Sequence, residues 1–124
     1  MIVEHIRNIT GKITVGGFAV LEGDWWHGEN TVIEDSKLFY VTDGEASLIY
    51  KGEEHICRKG ELVLVPSRQV HSYSLTEKKY MKQFWFHFSL FADSESVFDK
   101  YDMPLKVKVK EEEKEKIEKL SLAN

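Results

Sequence analysis

His71 and Tyr73 stand two residues apart, and so do Gln83, Trp85 and His87 in turn. In an extended chain successive side chains point to opposite faces, so each of these sets shares one face of its strand. If both faces look into one interior, they make a cavity with aromatic plates and polar tips. That lining suits a sugar or a similar polar small molecule. Ring faces cover its C–H patches while imidazole, amide and phenol groups pair its hydroxyls. Acid–base catalysis is less well served, because no carboxylate stands at a motif position beside His71. A plainer reading is also open. His71 would bridge backbone groups at a strand end, Trp85 would be core, and His87 would be held by a neighbouring strand.

The elements that must carry these residues are strands. Turn signals recur at short, even intervals at Asp43-Gly44, Lys51-Gly52 and Lys59-Gly60, each flanked by β-branched, aromatic or leucine residues. The rhythm predicts a meander of short antiparallel strands. A hairpin is expected at Asp43-Gly44, with "KLFYVT" entering and "ASLIY" leaving; Lys51-Gly52 leads into "EEHICR" and Lys59-Gly60 into "ELVLV". The last of these is apolar on both faces, which predicts a strand covered on both sides and ended by Pro66. In "QFWFHFSLF" Phe84, Phe86 and Phe88 lie on one face and Gln83, Trp85 and His87 on the other. Upstream, "GKITVGGFAVLEGDWWHG" has strand character, with a bulge or bend expected at Gly16-Gly17. Trp25 and Trp26, being adjacent, point oppositely, so one of them is expected to be exposed.

The block from Lys37 to Phe88, with "GELVLVPSRQVH" at its centre and "FWFHF" closing it, resembles the cupin-type sensor domain at the amino terminus of the AraC family of bacterial transcription regulators. The resemblance covers roughly the first 110 residues; its most specific parts are the spacing of Gly60, Pro66 and His71 and the aromatic-His-Phe ending at Trp85, Phe86, His87 and Phe88. It implies a mainly β fold, a double-stranded β-helix or jelly-roll barrel, with a short C-terminal α-helix. It also implies an effector held inside the barrel near His71 and on the strand ending in His-Phe. His27, beside Trp25 and Trp26, falls near where such domains approach the ligand from an early strand.

Metal-binding cupins carry two histidines and a glutamate in a first motif, and glycine, proline, glycine and histidine in a second. Aligned on Gly44, this chain has Val32 or Ile33 near the histidine positions and Lys37 at the glutamate position. In the second motif Gly60, Pro66 and His71 match, but Arg68 replaces a small residue. A catalytic zinc or iron site needs about three protein ligands, and a lysine would repel a cation, so no metal and no other cofactor is expected. The candidate ligand-binding set is therefore His71, Tyr73, Gln83, Trp85, His87, His27 and Lys37.

The remaining chain fits one domain. Its 124 residues allow one core, and 42% hydrophobic with 31% charged residues describe a globular chain. A net charge of −4 argues against a broad nucleic-acid surface, and the start "MIVEHIRNITGK" has neither a signal peptide nor a span, so the expected place is the cytoplasm. Cys57 is the only cysteine, with a small apolar filler as its expected role. After Phe91 a polar stretch leads to "LKVKVK", expected as a last strand, and then to the helix former "EEEKEKIEKLSLAN", which ends without a C-cap signal. The expected layout is a ligand-sensing barrel over residues 1–110 and the start of a linker or dimerisation helix over 111–124, within a longer protein. By the resemblance, the function is effector sensing and homodimerisation, with DNA bound by a helix-turn-helix domain beyond this chain and with no membrane partner. "MIVEHIRN" would be an arm over the pocket. The alternatives are a small metal-dependent cupin enzyme and a purely structural dimerisation barrel.

Overall fold

Alternating apolar and polar residues, broken by turn-forming pairs, produce strands throughout the described chain. The structure, a computed structural model, describes residues 9–92, 95–96, 106–110, 112–113 and 115–116. The strands are β1 (Ile9–Glu22), β2 (His27–Thr31), β3 (Ser36–Tyr50), β4 (Glu53–Arg58), β5 (Glu61–Val65), β6 (His71–Leu75), β7 (Tyr80–Ala92), β8 (Glu95–Ser96) and β9 (Lys106–Lys108). They form a mainly β, barrel-like pair of sheets, as the sequence predicts.

One long strand belongs to both sheets. The first half of β3 runs between β7 and β5, in the order β1-β7-β3-β5-β9. Its second half pairs with β4 on one side and β6 on the other, with β2 beyond β6. Every one of these pairings is antiparallel.

The crossing point is Asp43-Gly44, and here the expectation of a hairpin is corrected: the chain does not reverse but continues along β3. Pairing with β7 slips between Val41 and Asp43, so one extra residue is accommodated as a bulge. The slip exchanges the two faces. Before it Phe39 and Val41 enter the core; after it Ala46 and Leu48 do. Gly44 has φ of 71°, and a Cβ there would lie 2.2 Å from the carbonyl oxygen of Tyr80. An Asp-Gly pair supplies the positive φ that a hairpin turn needs, but close approach of β7 uses it here for a bend inside a strand.

The Lys51-Gly52 turn is a true hairpin between β3 and β4, with φ of 52° and 79° at its two residues. Lys59-Gly60 instead carries the chain from β4 in one sheet to β5 in the other. In β5, Val63 and Val65 are fully buried, whereas Leu62 and Leu64 on the opposite face are only half-buried, so the expectation of full cover on both sides is corrected. Pro66 follows the strand's last residue, as expected. The bulge expected at Gly16-Gly17 lies a little earlier, between Ile13 and Val15. The two glycines stay in register opposite Phe86 and Trp85, whose rings lie against them.

Between the sheets sits a core of Leu21, Phe39, Val41, Ala46, Leu48, Cys57, Val63, Val65, Leu75 and Met81. Cys57 fills this interior as expected, and burial pushes its thiol up to about 11. The last expected strand is present as β9 beside β5, where Lys106 bonds the carbonyl of Ile56 and pairs with Glu61. Of the expected C-terminal helix, Glu112, Glu113, Glu115 and Lys116 have helical backbone. The rest of it, and the "MIVEHIRN" arm, lie outside the described residues. Among the described residues no helix is long and apolar enough to cross a membrane.

Candidate functional site

Where β1, β7 and the start of β3 face β6 and the end of β2, the interior opens into a cavity of about 470 Å³. Its wall contains Lys37, His71, Tyr73, Gln83, Trp85 and His87, so six of the seven expected ligand-binding residues meet in one space. Val32 and Ile33, at the positions of the lost cupin histidines, line it as well. The period-two argument places each set correctly: His71 and Tyr73 come inward from β6, and Gln83, Trp85 and His87 from β7.

His27 is not among them. It lines a neighbouring groove of about 530 Å³ with Glu29, Ser47, Ser72 and Ser74, and Tyr73 borders both spaces. The aromatic that reaches the cavity from this part of the chain is Trp26, its ring centroid 4.6 Å from that of Tyr73. Trp25 points the other way and is 66% exposed. Adjacent tryptophans announce one inward and one outward ring, but their sequence does not say which. Ala19, Leu21 and Thr31 complete the missed part of the lining, and the small apolar β1 residues carry no distinctive sequence signal.

Tyr73 is placed by a glycine. Gly28 pairs with it across the β2–β6 ladder, and a Cβ at Gly28 would lie 2.6 Å from the Tyr73 ring. The ring therefore lies over bare backbone, flanked by Trp26 on one side and with the Lys37 ammonium 4.1 Å from its centroid. That contact is a cation–π interaction.

Hydrogen bonding fixes the state of His71, which is only 2% exposed. Its Nδ1 lies 3.1 Å from the carbonyl oxygen of Gln69, an acceptor only, so Nδ1 carries the proton. The hydroxyl of Thr31 donates to the carbonyl oxygen of His71 at 2.9 Å, which uses its one proton. Nε2 is thus an acceptor, with Thr31 Oγ1 3.3 Å away and the Lys37 Nζ donor at 3.5 Å. Burial lowers the His71 pKa, and the positive charges of Lys37 and His87 act in the same direction while the bond to Gln69 opposes them. His87 is likewise lowered by burial and then by Lys37, against an opposing pull from Asp35. Burial brings Lys37 itself down from 10.5 to about 8. Burial thus disfavours the charged form of all three groups.

Gln83 is 6% exposed and lines the same space, and among the described residues its Oε1 has no hydrogen-bond partner. Whichever end of the amide faces that point, a buried polar atom is left for something else to satisfy.

Residues 19–87 match the family model of the cupin domain. The chain belongs to the cupin family. Solved structures agree at the level of fold. A cupin superfamily protein from Desulfitobacterium hafniense superposes with a TM-score of 0.50 at 10% identity, covering 67% of this chain and 79% of that one. YhaK from Escherichia coli gives 0.56 at 18% identity over 80% of this chain and 43% of its own. Apo ToxT K231A from Vibrio cholerae gives 0.53 at 11% identity over 94% of this chain and 46% of its own. No curated protein matches the sequence closely enough to name a relative.

Cupins commonly hold a metal between the residues of their two motifs, and the donor set here does not fit one. Among the described residues His71 and His87 are the imidazoles of the cavity and no carboxylate lines it, and the lysine ammonium sits against the Nε2 that a metal would need. Among the described residues no three His, Cys, Asp or Glu side chains converge. This cupin cavity is built instead from aromatic rings, an amide and a cation.

The left-handed backbone at Arg68 gives the departure in the second motif a physical meaning. Its φ is 58°, and its N–H donates to the carbonyl of Ile33 at 2.8 Å. A glycine there would carry no Cβ penalty, so the small residue expected at this position serves the turn.

Proposed function

We propose that this cupin barrel is the effector-sensing and dimerisation domain of an AraC-type transcription regulator, binding a small polar molecule in the cavity between its sheets. The observation that carries the reading is the convergence of Lys37, His71, Tyr73, Gln83, Trp85 and His87 on one space. At about 470 Å³ it falls within the roughly 300–1,000 Å³ of small-molecule sites. Aromatic faces and polar tips are the chemistry of sugar recognition. The alignment with ToxT supports the layout, since nearly all of this chain there accounts for under half of a longer one. In this reading DNA is bound by a separate domain, the protein works in the cytoplasm and the cavity performs no catalysis. Effector binding acts by its difference in affinity between two arrangements of the regulator.

The test is thermal unfolding of the chain against neutral sugars, sugar acids and divalent metals. A ligand at one hundred times its dissociation constant adds about 2.7 kcal/mol and raises the midpoint by several degrees. Trp85→Ala should abolish that shift. A response to metals alone would turn the assignment toward a metal-dependent enzyme, and no response to any compound would leave a barrel that serves only to dimerise.

A further inference from the structure

Among the described residues, the cavity wall carries the Lys37 ammonium and no group of opposite sign. Lys37 enters from β3, and the groups it meets among the described residues are Nε2 of His71 and the face of Tyr73. Asp35 acts electrostatically on His87 but is not part of the lining. An ammonium withdrawn from water without a counter-charge is costly, and a partner that supplied one would recover that cost. Burial brings Lys37 to about 8, which leaves it mainly charged at pH 7. A second polar point is Gln83, whose amide lines the cavity and whose Oε1 has no partner among the described residues. Between these polar points stand the rings of Trp26, Tyr73 and Trp85.

We infer that the ligand of this cavity is a small hydroxylated carboxylate, a sugar acid rather than a neutral sugar, whose carboxylate pairs with Lys37 while a hydroxyl meets Gln83. The inference rests on the reading of the cavity as a ligand site and narrows the ligand class. The carboxylate replaces the missing counter-charge, and the aromatic rings cover the carbon skeleton. Lys37 is then the residue that separates acids from their neutral analogues.

Matched pairs test this by calorimetry on the whole chain at pH 7: glucuronate against glucose, galacturonate against galactose, and gluconate against glucitol. The acid of at least one pair should bind at least tenfold more tightly than its neutral partner. Lys37→Gln should remove that preference and Lys37→Arg should keep it, and circular dichroism on both variants establishes that each is folded. If a neutral member binds as well as its acid and Lys37→Gln changes nothing, the carboxylate assignment is wrong while the binding role stands. If no member of any pair binds, both the assignment and the sugar-type ligand site beneath it are overturned.

Discussion

The Lys37 ammonium lies 3.5 Å from Nε2 of His71 inside the cavity. A single charge on β3 therefore changes what the cavity can hold, and it changes how stability responds to pH. Lys37 binds its proton less tightly in the folded chain, near 8, than in the unfolded chain, near 10.5. Between those values the unfolded chain keeps the proton that the folded chain has lost, so raising the pH through this window favours folding. The penalty at pH 7 is at most about 3 kcal/mol. Lys37→Met should be more stable than the parent by about 1–3 kcal/mol at pH 7. The difference should shrink towards pH 10.5, as read from urea unfolding of both proteins at each pH. An equal gap at every pH would show that Lys37 is not desolvated.

Acid should act on the same site through histidine. The pKa of His71 is depressed on folding, chiefly by burial, so its contribution is complete above about 6.5, where the unfolded imidazole titrates. It is lost as pH falls from there towards the lower folded value, because the unfolded chain takes up the proton first. His71→Gln should flatten this acid limb relative to the parent. Its remaining slope should reflect His87, which is lowered for the same reason. Unfolding midpoints of the two proteins between pH 7 and 5 check this, and parallel curves would contradict it.

The part of the site legible in the sequence is the part set by strand period. His71 and Tyr73, or Gln83, Trp85 and His87, need only stay in strands to share a face, and they do. What the sequence concealed depends on long-range packing. Asp43-Gly44 has the chemistry of a hairpin turn, and only the approach of the Tyr80 carbonyl makes it a bend inside β3. His27 and Trp26 differ by one position, and the pairing of β2 with β6 decides that the tryptophan faces inward. Lys37 stood out by replacing a glutamate, but the absence of any acid beside it among the described residues is a property of the assembled wall.

Gly28 should control ligand binding without touching a ligand. An added Cβ would meet the Tyr73 ring at 2.6 Å and Thr31 Cγ2 at 2.8 Å. Both are side-chain atoms that can shift, so Gly28→Ala should cost about 1–3 kcal/mol of stability rather than prevent folding. The displaced Tyr73 ring would no longer lie beneath Lys37 or beside Trp26. Affinity for any cavity ligand should fall at least tenfold, measured by calorimetry at a temperature where the variant is fully folded. Unchanged affinity would remove Tyr73 from the binding wall.

Gly44 is the stricter case because two independent requirements meet there. Its φ of 71° disfavours any residue with a Cβ, and that Cβ would stand 2.2 Å from the backbone oxygen of Tyr80, which cannot swing away as a side chain can. Gly44→Ala should therefore destabilise the barrel by more than Gly28→Ala, about 3 kcal/mol or more. The neighbouring change Asp43→Ala removes the carboxylate that accepts the Gly44 N–H at 2.9 Å, at an exposed position, and should cost about 0.5–1.5 kcal/mol. Urea unfolding of the three variants orders them. If Gly44→Ala proved as mild as Asp43→Ala, β3 would not need its bend at this residue, and the change of inward-facing positions between Val41 and Ala46 would have to be set by another part of the strand.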